Sequence, residues 1–378
     1  MFNMECAVIA AMLIAIQLVS VLLATLRCRR GDGFGAVADE FVGISFIRPL
    51  RGVEPHAMET LAASLRQTHP VHEVLFCVAD ANDPVIPLVE AALRAHPDVD
   101  ARLLIGADRI GVNPKLNNMV KGWREARYEW VCFADSNLLT PPDYLQRVFA
   151  TWRPGTGAVS APPAGADPED FWGEFECAFL NAHEAKWQYA VDTLGLGFCQ
   201  GKTLFLNRSV LGDRGLAALA DEPAEDAALT RVVRSQGLSA RLVGPPFPQP
   251  LGPRTARDVW SRQMRWARLR RATFPGFYTL EIMAGFVPPA TALAFAASGH
   301  GWPTAPVLAA LFIVWYGSEA LLARVAGWPL TIKSIGASVL RDFSLPILWI
   351  GGWVGDGFTW HGASLTASGT PAREVESR

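Results

Sequence analysis

Cysteine is sparse and unsuited to stapling. Cys6, Cys28, Cys77, Cys132, Cys177 and Cys199 are scattered through 378 residues without a CxxC pair. That excludes a dense disulfide framework, argues against zinc, and suits buried thiols in a reducing compartment. Charge is also scarce, with Asp, Glu, Lys and Arg making up 19% of the chain, against ~25% in ordinary soluble domains. Thirty-four basic and thirty-six acidic side chains leave a net charge of −2, so no global basic field is directed at nucleic acid. Neither GxGxxG nor GxxxxGK[ST] stands in position, which removes the familiar backbone cradle for a diphosphate. Internal repeats and low-complexity tracts are missing too. Disorder is excluded from the other side, since 50% of the residues are hydrophobic.

The apolar excess sits at the two ends. The run 7–26 is almost unbroken, with Gln17 and Ser20 as its interior interruptions and Thr25 near its end, and about 20 such residues cross a bilayer. A cleaved signal peptide would want a basic start and a shorter run. Here the start carries Glu5 and the run ends in Arg27, Arg29 and Arg30. The expectation is an uncleaved anchor over 1–30, with the chain beyond residue 30 on the cytoplasmic side. Two further spans are expected within 277–330, the first (277–298) kinked at Pro288-Pro289. The stretch 340–354 is short and contains Arg341-Asp342, so 331–378 reads as an interfacial or re-entrant segment and a frayed tail from about Ala367.

Between the apolar ends, strands and helices alternate. Strands are expected at 42–47, 74–79, 102–105 and 130–134, with helices at 55–67, 84–95 and 116–126. That order implies βαβ units and a mostly parallel sheet buried on both faces. The α/β domain is expected over 31–254, with an amphipathic helix after it at 255–276.

Ligands of open α/β sheets bind at the carboxyl ends of the strands. Asp80 comes just after the second strand, and Asp135-Ser136-Asn137 just after the fourth. A plainer reading makes each Asp a turn or helix cap. Without a phosphate loop, a nucleotide diphosphate would need a carboxylate-held Mg²⁺ or Mn²⁺ and cationic side chains. Asp135 is the candidate metal ligand, and Asp80 suits a base or ribose. Glu225-Asp226 precedes a helix through about Ser235, where acidic residues also simply favour the helix N-terminus. Arg262 and Arg265 share a helix face beside Trp266. Lipid headgroups and a diphosphate are both fitting partners for that face.

Asp80, Asp135-Ser136-Asn137, Glu225-Asp226 and Arg262-Gln263-Met264-Arg265-Trp266 stand in the D, DxD-like, ED, (Q/R)xxRW order. The segment Gly111-Val112-Asn113-Pro114-Lys115-Leu116-Asn117-Asn118 resembles the GxNPKxNN stretch of the ceramide glucosyltransferases. The chain is thus similar to membrane glycosyltransferases of the GT-A type, family 2/21-like, over about 42–275. The resemblance implies a GT-A nucleotide-diphospho-sugar transferase domain between N- and C-terminal transmembrane helices. It implies a UDP-sugar donor and a lipid acceptor, in a multi-pass protein of a bacterial inner membrane with its catalytic domain on the cytoplasmic face. It makes Asp226 the general base, Asp80 a uridine contact and Asp135 the metal ligand. Arg262, Arg265 and Trp266 would close over the diphosphate, and Lys115, Asn117, Asn137 and Glu225 would line the donor side. Glucose and ceramide are the first expectation. A hopanoid or polyprenyl-phosphate acceptor (with N-acetylglucosamine as another sugar) and a non-catalytic nucleotide-sugar-binding protein are the alternatives. One departure is Asn137, where a full DxD has a second Asp.

Overall fold

The computed structural model describes residues 2–30, 42–355, 357–360 and 363–366. The tail expected from Ala367 lies outside the described residues. In chain order the elements begin with α1 (Phe2–Arg30), β1 (Ile44–Leu50), α2 (Ala57–Leu65), β2 (His72–Val78), α3 (Ile86–Ala95) and β3 (Ala101–Ile105). They continue with α4 (Pro114–Glu125), β4 (Trp130–Ala134), α5 (Tyr144–Thr151), β5 (Thr156–Ser160) and β6 (Pro163–Pro168). Next come α6 (Phe171–Ala178), a π-helical turn Phe179–Ala185, α7 (Lys186–Thr193), β7 (Thr203–Asn207), α8 (Glu225–Ser235), β8 (Ser239–Leu242) and β9 (Phe247–Gly252). The chain ends in α9 (Ala256–Thr273), α10 (Pro275–Glu281), α11 (Val287–His300), α12 (Thr304–Ala326), α13 (Ile332–Val354) and the hairpin β10 (Gly357–Trp360)–β11 (Ala363–Thr366).

Two compact units result. One holds residues 30–167 and 191–252, and the other 1–29, 168–190 and 253–367.

The first unit is built on a seven-stranded sheet in the order β3-β2-β1-β4-β7-β5-β8. The expected strands and helices up to β4 are present with shifted ends. The sheet is mixed, because β7 runs antiparallel to both its neighbours, β4 and β5. All seven residues of β1 are buried. Phe46 packs into the apolar cluster on one sheet face, and Ile47 into the cluster on the other, which explains a continuous rather than alternating apolar run. α4 can lie close on this sheet because residue 122 is glycine. A Cβ there would fall 2.7 Å from Cys77 Sγ and 2.7 Å from Ile47 Cγ2. The chain lays down β1, β2 and β3 toward one edge of the sheet and then returns to place β4 on the other side of β1, so the strand order reverses between β1 and β4. That reversal opens the crevice in which sheet proteins of this kind seat ligands.

The second unit is helical. α1 and α12 are the two described helices long and apolar enough to cross a membrane. Residues of α1 such as Val8, Met12, Val19 and Leu22 are exposed, as a lipid-facing stripe would be. The span expected over 277–298 is broken in two. The pieces Pro275–Ala284 and Val287–His300 meet at 54°. The break precedes Pro288-Pro289 and leaves proline in the first turn of α11, where its missing N–H costs nothing. The helix expected from Leu340 begins earlier, at Ile332, and runs unbroken for 23 residues. Residues 168–190, expected within the sheet domain, cluster with these helices.

Charges expected near a surface are instead buried and paired in this unit. Lys186 Nζ donates to Gln17 Oε1 (2.6 Å) and lies 3.4 Å from Glu319 Oε1. Arg341 reaches both Glu319 oxygens (3.2 and 3.0 Å) and Asp342 Oδ1 (2.9 Å). Trp315 Nε1 and Tyr316 Oη donate to Asp342 Oδ2. Gln17, Lys186, Glu319, Arg341 and Asp342 are each no more than 4% exposed. Two cations thus neutralise two carboxylates across α1, α7, α12 and α13. Removing one member of such a set costs about 3–5 kcal/mol. Glu319→Ala, which strips Arg341 and Lys186 of their shared partner, is expected to lower the melting temperature of the detergent-purified protein markedly. Unchanged melting would show the network to be structurally idle.

Candidate active site

The site in the sheet unit is organised by the N-terminus of α4. Asn113 caps this helix, its Oδ1 accepting from Lys115 N (2.8 Å) and Leu116 N (3.1 Å). Pro114 fills the first helical position, where its fixed φ suits the helix. The Asn113 Nδ2 donates to Glu225 Oε2 (2.6 Å) and to Pro223 O (3.1 Å). One buried amide thereby starts α4 and fixes the start of α8.

Lys115 is then aimed at three acceptors. Its Nζ lies 2.6 Å from Asp135 Oδ1, 2.7 Å from Glu225 Oε1 and 2.8 Å from Gly201 O. An ammonium has three N–H bonds, and all three are used. Lys202 Nζ meets the other Asp135 oxygen at 3.0 Å and donates to Asn137 Oδ1 at 3.0 Å. Burial would push the Asp135 carboxyl up. Lys115 and Lys202 outweigh burial and hold it well below the usual carboxylate range. Burial likewise works against the Lys115 charge, but Asp135 and Glu225 keep its pKa above the ordinary lysine value.

Asp226 is the exception among the carboxylates. Its Oδ2 accepts from Gly201 N and its Oδ1 from Ala227 N, both at 2.8 Å. It has no ammonium within ion-pair distance among the described residues. Burial first, and the neighbouring Glu225 charge second, push it up to about 6, against Lys115 and the two amides. Each oxygen keeps a lone pair free of backbone. Gly201 lies among these groups, and a Cβ there would come within 3.2 Å of Lys115 Nζ and 3.3 Å of Asp226 Oδ2. The missing side chain is what lets the cluster close.

The structure therefore gathers Lys115, Asp135, Asn137, Glu225 and Asp226. Asp80 has no hydrogen bond or ion pair with them among the described residues; it is exposed beyond β2, with its Oδ1 accepting from Asn82 N (2.9 Å). Asn117 accepts from Ile110 N (2.9 Å) and Gly111 N (3.1 Å) and donates to Gly111 O (3.0 Å), closing the loop before α4. Arg262, Arg265 and Trp266 are on α9, in the helical unit. A capping box between Thr255 and Asp258 starts that helix. Arg262 pairs there with the buried Glu176, which Arg254 Nε also reaches at 2.9 Å.

Three contributors escape a reading of the sequence. Lys202 and Gly201 precede β7, and Arg48 is fully buried inside β1. Arg48 donates to Ser136 O (3.0 Å) and Leu138 O (3.2 Å), shaping the turn after Asp135. Burial draws its pKa down to about 10, partly countered by Tyr144 and Asp135. A charge inside an apolar strand, or at its mouth, is the signal that marks Arg48 and Lys202; Gly201 carries none.

For a metal, the cluster supplies hard oxygen donors, Asp135 and the Asn137 amide oxygen. Both now face lysine ammoniums. Among the described residues no three His, Cys, Asp or Glu side chains group as a metal site. The set fits an ion that takes only one carboxylate from protein and the rest from phosphates and water, as Mg²⁺ commonly does.

The pattern of Glycosyl transferase family 21 matches residues 8–371. Ceramide glucosyltransferase 1 of Caenorhabditis elegans is 27% identical over 256 residues, 67% of this chain and 55% of that enzyme. Ceramide glucosyltransferase 3 of the same organism is 23% identical over 318 residues, 82% of this chain and 69% of that enzyme. The chain thus spans only about half of the first relative's length. A mannosyltransferase from Pyrobaculum calidifontis, solved with GDP-Man and Mn²⁺, superposes with a TM-score of 0.48 at 21% identity, covering 92% of this chain and 98% of that one. With a family pattern that runs through the sheet unit and the apolar helices alike, the chain belongs to glycosyl transferase family 21.

Proposed function

We propose that this protein is a membrane-bound inverting glycosyltransferase that moves a sugar from a UDP-sugar to the hydroxyl of a lipid. Glucose and ceramide, the substrates in the names of its relatives, are the first choice. The observation that carries the reading is Asp226, a carboxyl raised to about 6 beside a lysine–carboxylate cluster. It is poised to exchange a proton near neutral pH, as a general base must be.

The acceptor hydroxyl attacks the anomeric carbon opposite the UDP. The new C–O bond forms as the bond to the diphosphate breaks, and Asp226 takes the hydroxyl proton. Lys115 and Lys202 supply fixed positive charge on the donor side, where Asn137 and Glu225 hold them in place. Stabilising charge that develops on the leaving group is often the largest catalytic term. Asp80, exposed and turn-forming, is assigned to the uridine, and Asn117 to the shape of the donor-side loop. Arg262, Arg265 and Trp266 are assigned to the departing diphosphate, for which a guanidinium fork is well shaped. When bound, Mg²⁺ or Mn²⁺ at Asp135 would neutralise part of the diphosphate charge. The protein is assigned to a bacterial inner membrane as a multi-pass protein, with the sheet unit on the cytoplasmic face.

Asp226→Asn is expected to keep UDP-sugar binding and to lose about 10²–10⁴-fold in transfer. The active base is the carboxylate, so wild-type kcat/KM should fall about tenfold per pH unit below about 6. The asparagine variant's residual rate should lack that limb. Normal turnover in this variant would remove Asp226 as base. Arg265→Ala should slow donor use, and unchanged kinetics would leave Arg265 to the lipid surface. EDTA should suppress transfer, with Mg²⁺ or Mn²⁺ restoring it. Full activity in chelator would leave the two lysines as the counter-charge.

A further inference from the structure

Each oxygen of Asp135 and the amide oxygen of Asn137 is held by a lysine, and the two lysines hold them differently. Lys115 reaches Glu225 and Gly201 O as well as Asp135, so it ties three segments together. Lys202 Nζ touches only the candidate metal ligands. It lies 3.0 Å from Asp135 Oδ2 and donates to Asn137 Oδ1 at 3.0 Å. An ammonium has three N–H bonds, and the third of Lys202 has no partner among the described residues. Lys202 thus bridges the two oxygens that a metal at this turn would bridge, and it makes no other side-chain contact that would be lost if it let go.

Charge decides what can displace it. Asp135 brings one negative charge and Asn137 none, while Lys115 and Lys202 are both positive. Glu225 offsets Lys115, so Asp135 and Lys202 already neutralise each other. A divalent cation entering alone would have to evict one ammonium while facing another. A nucleoside diphosphate changes that balance. Its phosphate oxygens complete the coordination of a Mg²⁺-like ion that takes few ligands from protein. They also accept strong hydrogen bonds from a released ammonium. The flexible stem of lysine suits such a change of partner.

We infer that Lys202 is an internal counter-cation of the Asp135–Asn137 pair, which keeps a divalent metal out of the donor-free protein and yields its place when metal and nucleoside diphosphate enter together. The charge of Lys202 stays on the donor side throughout. The inference rests on the proposed use of a UDP-sugar with Mg²⁺ or Mn²⁺ at Asp135, and adds to it a competing residue and an order of binding.

The test titrates Mn²⁺ into the full-length protein in an uncharged detergent and reads the free ion by electron paramagnetic resonance. Titrations run with and without UDP, against a protein-free UDP blank. Without UDP the wild type should bind Mn²⁺ weakly. Lys202→Met should bind it on the order of tenfold tighter, since one cation no longer competes. Lys202→Gln, which keeps a hydrogen-bond donor without the charge, should tighten binding likewise, and agreement between the two separates lost charge from local misfolding. Lys202→Arg should stay near the wild type. So should Lys121→Met, which removes an equal charge elsewhere on α4. With UDP the wild type should gain Mn²⁺ affinity, and the advantage of the neutral variants should shrink. Unchanged or weaker Mn²⁺ binding in Lys202→Met and Lys202→Gln would overturn the inference, as would equal tightening in Lys121→Met. Tight binding by the wild type without UDP, lost in Asp135→Asn, would keep the metal assignment and remove the role given to Lys202. If no protein took up Mn²⁺ even with UDP, the metal assignment would fall and the inference with it.

Discussion

One ammonium organises the sheet unit's chemistry. Lys115 satisfies its three N–H bonds with Asp135, Glu225 and the carbonyl of Gly201. These acceptors come from the end of β4, the start of α8 and the approach to β7. Each alone would be a carboxylate or carbonyl at the mouth of a sheet. Held together, they cost little to bury, because every charge has a partner of opposite sign at hydrogen-bond distance. Asp226 is left as the member whose environment favours the neutral acid. Environments that drive neighbouring carboxyls apart in pKa are what separate a structural charge from a working one.

The helical unit solves a related problem in apolar surroundings. Ionisable side chains among membrane-crossing helices persist where they pair with one another. Gln17, Lys186, Glu319, Arg341 and Asp342 do so, joining segments that apolar packing alone would leave free to slide. Glu176, with Arg254 and Arg262, makes a second such junction at the entry to α9. The RxxRW helix therefore begins from a fixed point, with one of its arginines already committed to a buried carboxylate.

Legibility tracked local pattern. β1 to β4 were readable because doubly buried strands are continuous apolar runs bounded by turns. β6 and β9 were not, since Pro163, Pro168, Pro248 and Pro250 argue against strands, yet the two pair as a ribbon of their own. The direction of β7 was unreadable for another reason. A buried strand has the same residue pattern whichever way it runs. Segment 168–190 was expected within the α/β domain of 31–254, and it carries Glu174, Glu176 and Lys186. All three are buried in the helical unit.

The sequence by itself determined the alternation of strands and helices, the two apolar helices that could cross a membrane, and the order of the acidic and arginine motifs. Those are properties of neighbours within a few residues, where spacing and hydrophobicity act directly. Only the tertiary structure decided that Asn113 holds Glu225, 112 residues away, and that Lys115 meets Gly201 across 86. It also decided that Lys202 and Arg48 belong with Asp135. Electrostatic partnership depends on distance through space, and the sheet's crossovers set that distance.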